Sequence, residues 1–141
     1  MDWSVDPGAS LAPSRQLVEK VLDALARGSL EAGEPLLSVR KMASEALVNH
    51  NTVARAYRDL EQLGAVKGQN GRGVFITDEG PAIARSERQA STLNALEVAA
   101  QEALRAGHSP AALLELLEGL LPDAAFTKNN KKGPTGPRKS A

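Results

Sequence analysis

The forty residues from Ser38 to Thr77 constrain this chain most: SVRKMASEALVNHNTVARAYRDLEQLGAVKGQNGRGVFIT. Val53, Ala56, Tyr57 and Leu60 stand at i, i+3, i+4 and i+7, the spacing of a helix that buries one face. Asn49 precedes that run as an N-cap, where its side-chain oxygen can take an amide of the first turn. At about 100° per residue, Asn51, Arg55, Arg58 and Gln62 fall opposite the apolar stripe, with Thr52 at its edge. Amide, hydroxyl and guanidinium groups on one exposed face are the chemistry that reads base edges in a major groove and grips phosphates.

A shorter helix precedes it. Ser38 is placed to cap it, and Val39, Met42, Ala43 and Ala46 form its inward stripe. Arg40 and Lys41 lie in its first turn, off that stripe, where the free amides and partial positive charge of a helix start add to their pull on a phosphate. Only Leu47, Val48 and the Asn49 cap separate the two helices, which predicts a helix-turn-helix. Val66 to Gln69 and Val74 to Thr77 then read as two strands, joined through Asn70-Gly71, a strong hairpin signal because both residues tolerate positive φ. Arg72 stands at the tip. A hairpin after a recognition helix is the wing of a winged helix.

These residues carry a resemblance. LEAGEPLLSVRKMA (30–43), VNHNTVARAYRDLEQLGAV (48–66) and GRGVFIT (71–77) resemble the DNA-binding domain of GntR-type bacterial transcription regulators, in particular the short YtrA-like branch. The resemblance is good from Pro13 to Thr77 and extends more weakly through Leu121. It implies that Arg40 contacts DNA from the start of the second helix. It also places Asn49, His50, Asn51 and Thr52 at the start of the recognition helix, Arg55 on its exposed face, and Asn70, Gly71 and Arg72 at a wing tip that enters the minor groove. Three positions depart from the family pattern. Leu37 and His50 stand where Pro is common, and Leu47 where Gly is common. If the turn demands positive φ at residue 47, Leu carries a steric cost there; otherwise the turn differs.

The chain has 141 residues, enough for one ordinary domain or a small one with an appendage. Residues 1–12 read as an N-terminal arm and residues 13–77 as the winged helix-turn-helix domain. Within the latter a first helix over 14–27, capped by Ser14 and ended by Arg27-Gly28, turns Leu17, Val18, Val21, Leu22 and Leu25 inward. Leu36-Leu37 adds a short strand to the wing. Asp78-Glu79-Gly80-Pro81 reads as a hinge, assigned to 78–82. Residues 83–122 form a two-helix dimerisation or effector region. Its first helix, from about Ala82 to Ala106, has Leu93, Leu96, Ala100, Ala103 and Leu104 on one stripe. Ser109-Pro110 opens the second with a cap and an N1 proline.

That second helix bears Leu113, Leu114, Leu116, Leu117, Leu120 and Leu121, and only Glu115 and Glu118 are clearly polar. A helix apolar on nearly every side does not stay exposed on a small domain. Self-association through Leu93, Leu96, Leu104, Leu113, Leu116, Leu117, Leu120 and Leu121 buries it most economically, and the two-fold dimer is the commonest form. The resemblance implies the same. The alternative packs both helices back onto the winged domain of a monomer. The fold class is therefore mostly α with a small β-hairpin, a winged helix-turn-helix followed by two helices.

Charge has to be read by segment. The formal net charge is zero. Residues 13–77 carry nine Lys/Arg against seven Asp/Glu, residues 78–122 three against seven, and residues 123–141 five against one. A weakly basic head, an acidic middle and a basic tail thus cancel. The tail, DAAFTKNNKKGPTGPRKSA, has the composition of a disordered segment. Its cations either add nonspecific phosphate affinity or merely solubilise the end.

Other chemistry is thin. There is no cysteine, which excludes disulfides and fits a reducing cytoplasm. MDWSVDPGAS lacks the basic and apolar regions of a signal peptide, and no stretch approaches the ~20 apolar residues of a membrane span. His50 and His108 have no ligand-spaced neighbours, so neither a metal nor another cofactor is expected. Phosphate-cradling glycine loops and nucleophile–base–acid sets are absent, so the chain does not read as an enzyme. The expectation is a homodimer on double-stranded DNA that represses transcription, governed by a small effector or a regulatory partner protein. The rival is a winged-helix protein-interaction module. For Arg40, Arg55 and Arg58 the plainer role is a surface ion pair, Asp59 or Glu61 being the acids near the last two.

Overall fold

The computed structural model describes residues 1–122. The expected disorder of the basic tail, residues 123–141, lies outside them. The elements run α1 (Pro13–Arg27), α2 (Val39–Ala46), α3 (His50–Leu63), β1 (Val66–Gln69), β2 (Gly73–Ile76), α4 (Gly80–Arg105) and α5 (Pro110–Leu120). The chain divides into two units, Met1–Leu93 and the residues from Asn94 onward.

The first unit holds every buried hydrophobic residue among those described. Leu17, Val18, Val21, Leu22 and Leu25 of α1 meet Met42, Ala43 and Ala46 of α2, Val53, Ala56, Tyr57 and Leu60 of α3, and Val66 and Ile76 of the hairpin. The helical stripes expected from spacing are the faces that pack. α1 starts one residue earlier than expected, and Ser14 does not cap it. Ala12 occupies the cap position without a side-chain bond, and Pro13 at the first helical position needs no amide partner. Gly28, at φ 82°, closes α1 in the left-handed conformation that suits glycine.

The N-terminal arm is less separate than its sequence suggested. Trp3 is buried in the same core, and the Gln16 amide holds the arm by bonding the Asp6 amide (2.9 Å), the Asp6 carbonyl (2.9 Å) and the Leu11 carbonyl (2.8 Å).

Strands β1 and β2 pair antiparallel with Val66 opposite Ile76 and Gln69 opposite Gly73. Asn70-Gly71 occupies the centre of the link as expected, but only one of the two residues uses a positive φ. Residues 70–72 connect the strands, the Arg72 amide donates to the Gln69 carbonyl (2.9 Å), and Gly71 has φ 72° whereas Asn70 does not lie at positive φ. That is the φ pattern of a type II turn, with the permissive residue second. The short strand anticipated at Leu36-Leu37 is a single bridge one residue earlier. Pro35 pairs with Phe75, while the Leu36 amide donates to the Val74 carbonyl (2.8 Å).

The hinge assigned to 78–82 is mostly helix, because α4 begins at Gly80. Gly80 is buried, and a Cβ there would stand 2.7 Å from the Ala65 carbonyl oxygen and 2.9 Å from Ile76 Cγ2. The glycine is a close-packing residue, and Pro81 sits in the first turn, where its missing N–H costs nothing. Thr77 secures the same corner: its hydroxyl donates to the Gly64 carbonyl at 2.6 Å. Further along α4, Arg88 pairs with Glu19 and Asp23 of α1.

The second unit has no buried residue among those described. Leu96, Leu104, Leu114, Leu116, Leu117, Leu120 and Leu121 are all exposed, as is Leu93 at the end of the first unit. Leu113 is half-buried. Ser109 caps α5 by accepting from the Ala112 amide (3.1 Å).

Candidate nucleic-acid interface

Two capped helices and a hairpin tip present the residues singled out by spacing. Ser38 Oγ accepts from the Lys41 amide (3.2 Å) and Asn49 Oδ1 from the Thr52 amide (2.9 Å), so both expected caps form. These bonds satisfy amides that a helix start otherwise leaves open and fix where each helix begins. Neither first turn contains an acidic residue. The positive ends of α2 and α3 are therefore not neutralised from within the turn.

Buried Tyr57 joins the two helices. Its hydroxyl donates to the Leu37 carbonyl at 2.7 Å, just before the Ser38 cap. Burial pushes the phenol above its ordinary range, so it stays a donor at any physiological pH. At the far end of α3, Glu61 Oε2 accepts from the Gly68 amide of β1 at 3.3 Å, tying helix to wing. Spacing did not single out either bond.

The side chains then sort by exposure. Ser38, Arg40, Lys41, Asn49, His50, Asn51, Arg55, Arg58, Asn70, Gly71 and Arg72 are exposed, and Thr52 is half-buried. Asn51, Arg55 and Arg58 lie with Gln62 on the α3 stripe opposite Val53, Ala56, Tyr57 and Leu60, which are buried. Val48, Asn49, His50 and Asn51 line an open depression at the start of α3. The wing adds two exposed residues that the sequence reading passed over, Lys67 and Gln69. They alternate with Gly68 on β1, and strand period two was the available signal.

The ion-pair alternative for the arginines is not realised. Among the described residues the salt bridges are Arg15–Glu19, Arg27–Asp23, Arg88–Glu19 and Arg88–Asp23, all between α1 and α4 or within α1. Arg40, Lys41, Arg55, Arg58 and Arg72 thus keep their full donor capacity toward an external anion. Among the described residues no group of three His, Cys, Asp or Glu could hold a metal ion. No helix there is long and apolar enough to cross a membrane.

Three helices with a short turn between the second and third, followed by an antiparallel hairpin, define a winged helix-turn-helix domain. The model described as "Bacterial regulatory proteins, gntR family" matches residues 13–76, and this domain belongs to that family. The HTH-type transcriptional repressor YtrA of Bacillus subtilis is 32% identical over 74 residues, 52% of this chain and 57% of that protein. A GntR family transcriptional regulator from Listeria monocytogenes has a similar structure, with a TM-score of 0.66 and 26% identity over 83% of this chain and 100% of that one. YtrA from Sulfolobus acidocaldarius, a GntR-family transcription factor, gives 0.54 and 26% over 69% and 99%. The sequence matches span 53–64% of the length of the curated relatives.

Proposed function

We propose that this protein is a transcription regulator that binds double-stranded DNA sequence-specifically as a homodimer and represses. The carrying observation is the exposed stripe Asn51, Arg55, Arg58 and Gln62 on α3, whose arginines have no acidic partner among the described residues. Arg40 and Lys41 at the start of α2 and Arg72 at the wing tip extend that chemistry on the same unit. In this reading α3 enters a major groove, Arg40 and Lys41 hold phosphates, and Asn70, Gly71 and Arg72 follow the adjacent minor groove. The gntR family of the domain and the repressor named among its relatives support the direction of control.

The homodimer rests on a separate observation. Leu114, Leu116 and Leu120 are each more than 60% exposed on an eleven-residue helix. A second copy offers the matching surface, and a two-fold then sets two recognition helices about one helical turn apart on an inverted repeat. Control passes through an effector or a partner protein at residues 83–122, and catalysis has no place in the scheme.

The test is binding of the full chain to its own upstream DNA against random duplex across a salt series, with Arg40→Ala alongside. A large specific ratio that Arg40→Ala reduces supports the reading. Equal weak binding to both duplexes, unaffected by Arg40→Ala and unchanged when genomic fragments are screened, would instead identify a protein-interaction module.

A further inference from the structure

The N-terminal arm and α1 enclose a cleft of about 340 Å³, within the ~300–1,000 Å³ of small-molecule sites. Asp2 and Trp3 of the arm face Lys20, Asp23, Ala24 and Arg27 of α1 across it. No residue assigned to DNA above lines this cleft, and none of residues 83–122 does. The arm that forms one wall is fixed in place. Gln16 holds it to α1 with three hydrogen bonds, and Asp2 accepts from the Ser4 amide (2.9 Å) and hydroxyl (2.7 Å).

The polar groups of the cleft are unequally satisfied. Both acids are engaged. The bonds from Ser4, more than the charge of Lys20, keep the Asp2 carboxyl below its usual range. Asp23 takes Arg27 Nε at 2.8 Å and Arg88 Nε at 3.8 Å, which offset its charge. The donors are not so occupied. Lys20 is half-buried, yet its ammonium forms no salt bridge among the described residues. Arg27 commits only its Nε. Trp3 is 7% exposed, and its indole N–H has no acceptor among the described residues. No side-chain nitrogen sealed from solvent lacks a partner there, so this N–H must reach solvent, and the cleft that Trp3 lines is an opening for it. Phe or Leu would fill the core at residue 3 without bringing a donor that needs a partner. An ammonium, a guanidinium and an indole N–H thus surround one concavity as donors without an acceptor.

We propose that this cleft binds a small organic carboxylate. Lys20 Nζ and the Trp3 N–H hold the carboxylate, the terminal nitrogens of Arg27 meet it from the rim, and its apolar body rests on Ala24 and the indole. Hydrogen bonds from charged donors to a carboxylate are the strong ones, which suits a site of this size. The site does not depend on DNA binding, so either reading can fail without the other.

Trp3 is the single tryptophan of the chain, so its fluorescence reports on the cleft directly. The probes are benzoate, phenylacetate, succinate and citrate, titrated into the full chain at constant ionic strength, with benzylamine as the cationic control. At least one carboxylate should shift Trp3 emission saturably with a Kd of about 1 mM or below, and benzylamine should not. Lys20→Met keeps an unbranched stem and should retain the wild-type urea transition while binding that probe ~10-fold more weakly or worse. Trp3→Phe, followed by calorimetry, should weaken binding several-fold; if it does not fold, Lys20→Met decides alone. No saturable response to any of the four carboxylates, or wild-type affinity in Lys20→Met, would overturn the proposal. Benzylamine binding as tightly as the carboxylates would overturn it too, because the cleft would then be selecting through its acids.

Discussion

Leu60 and Leu120 are the same side chain in two helices of one chain, yet Leu60 is fully buried and Leu120 is 71% exposed. The contrast extends to their surroundings. In Met1–Leu93 a tight aliphatic core takes in α1, α2, α3, the hairpin, Trp3 and Ala84. From Asn94 onward no described residue is buried, although α5 is the most leucine-rich helix. Burying a leucine contributes about 1.5–3 kcal/mol. The first unit has already taken that gain within one chain. In the proposed homodimer the second unit takes that gain from a second chain, which would divide assembly from DNA reading.

The sharpest break in this comparison comes from the core. Leu60→Ala should lower stability by about 2–5 kcal/mol. Urea unfolding followed by Trp3 fluorescence measures it, and the loss should not depend on protein concentration. The paired substitution Leu116→Glu with Leu120→Glu should leave the Trp3 transition of the first unit in place. It should yield a monomer in sedimentation and weaken operator binding about 100-fold, since the second half-site is no longer linked to the first. A variant that stays dimeric would place the interface elsewhere. At the boundary of the core, Gly80→Ala puts a methyl within contact distance of the Ala65 carbonyl and should cost about 1–3 kcal/mol. Neutral behaviour in the same urea titration would restore the flexible hinge that the Gly-Pro pair suggests.

How far the sequence could be read follows the same division. The α2 and α3 stripes were legible because local periodicity and burial agree, and the Ser38, Asn49 and Ser109 caps because a cap is a contact three residues long. Gly80 was misread because a Gly-Pro pair signals a break only when no neighbour comes close, and the neighbour here is Ala65, distant in sequence. Trp3 was passed over because a single buried residue has no period. Ion pairing resists spacing arguments altogether. Arg15–Glu19 and Asp23–Arg27 form at i, i+4, whereas Arg55 and Asp59, at the same spacing, do not. A nearby second helix separates the two cases: Glu19 and Asp23 also face Arg88 of α4, which holds the acids in place. Among the described residues no basic residue of another helix pairs with Asp59, and Arg55 forms no salt bridge there.

The smallest expected effect falls at Leu47. It is the one non-glycine residue at positive φ among those described, at 59°, in the turn that sets α3 against α2. The turn does require the left-handed conformation, so the steric cost anticipated for a side chain there is real. Its amide still closes α2 by donating to the Ala43 carbonyl, and its side chain is 84% exposed, so little burial offsets the strain. Left-handed backbone costs a non-glycine residue about 1–2 kcal/mol, and glycine gives back about half of that through its looser unfolded chain. Leu47→Gly should therefore raise stability by about 0.5–1 kcal/mol in urea titration and leave operator affinity unchanged. A loss of stability would show that the leucine packs more than its exposure indicates. A gain in stability accompanied by weaker binding would carry more weight, because it would mean that the strained turn is retained for an apolar contact with the ligand.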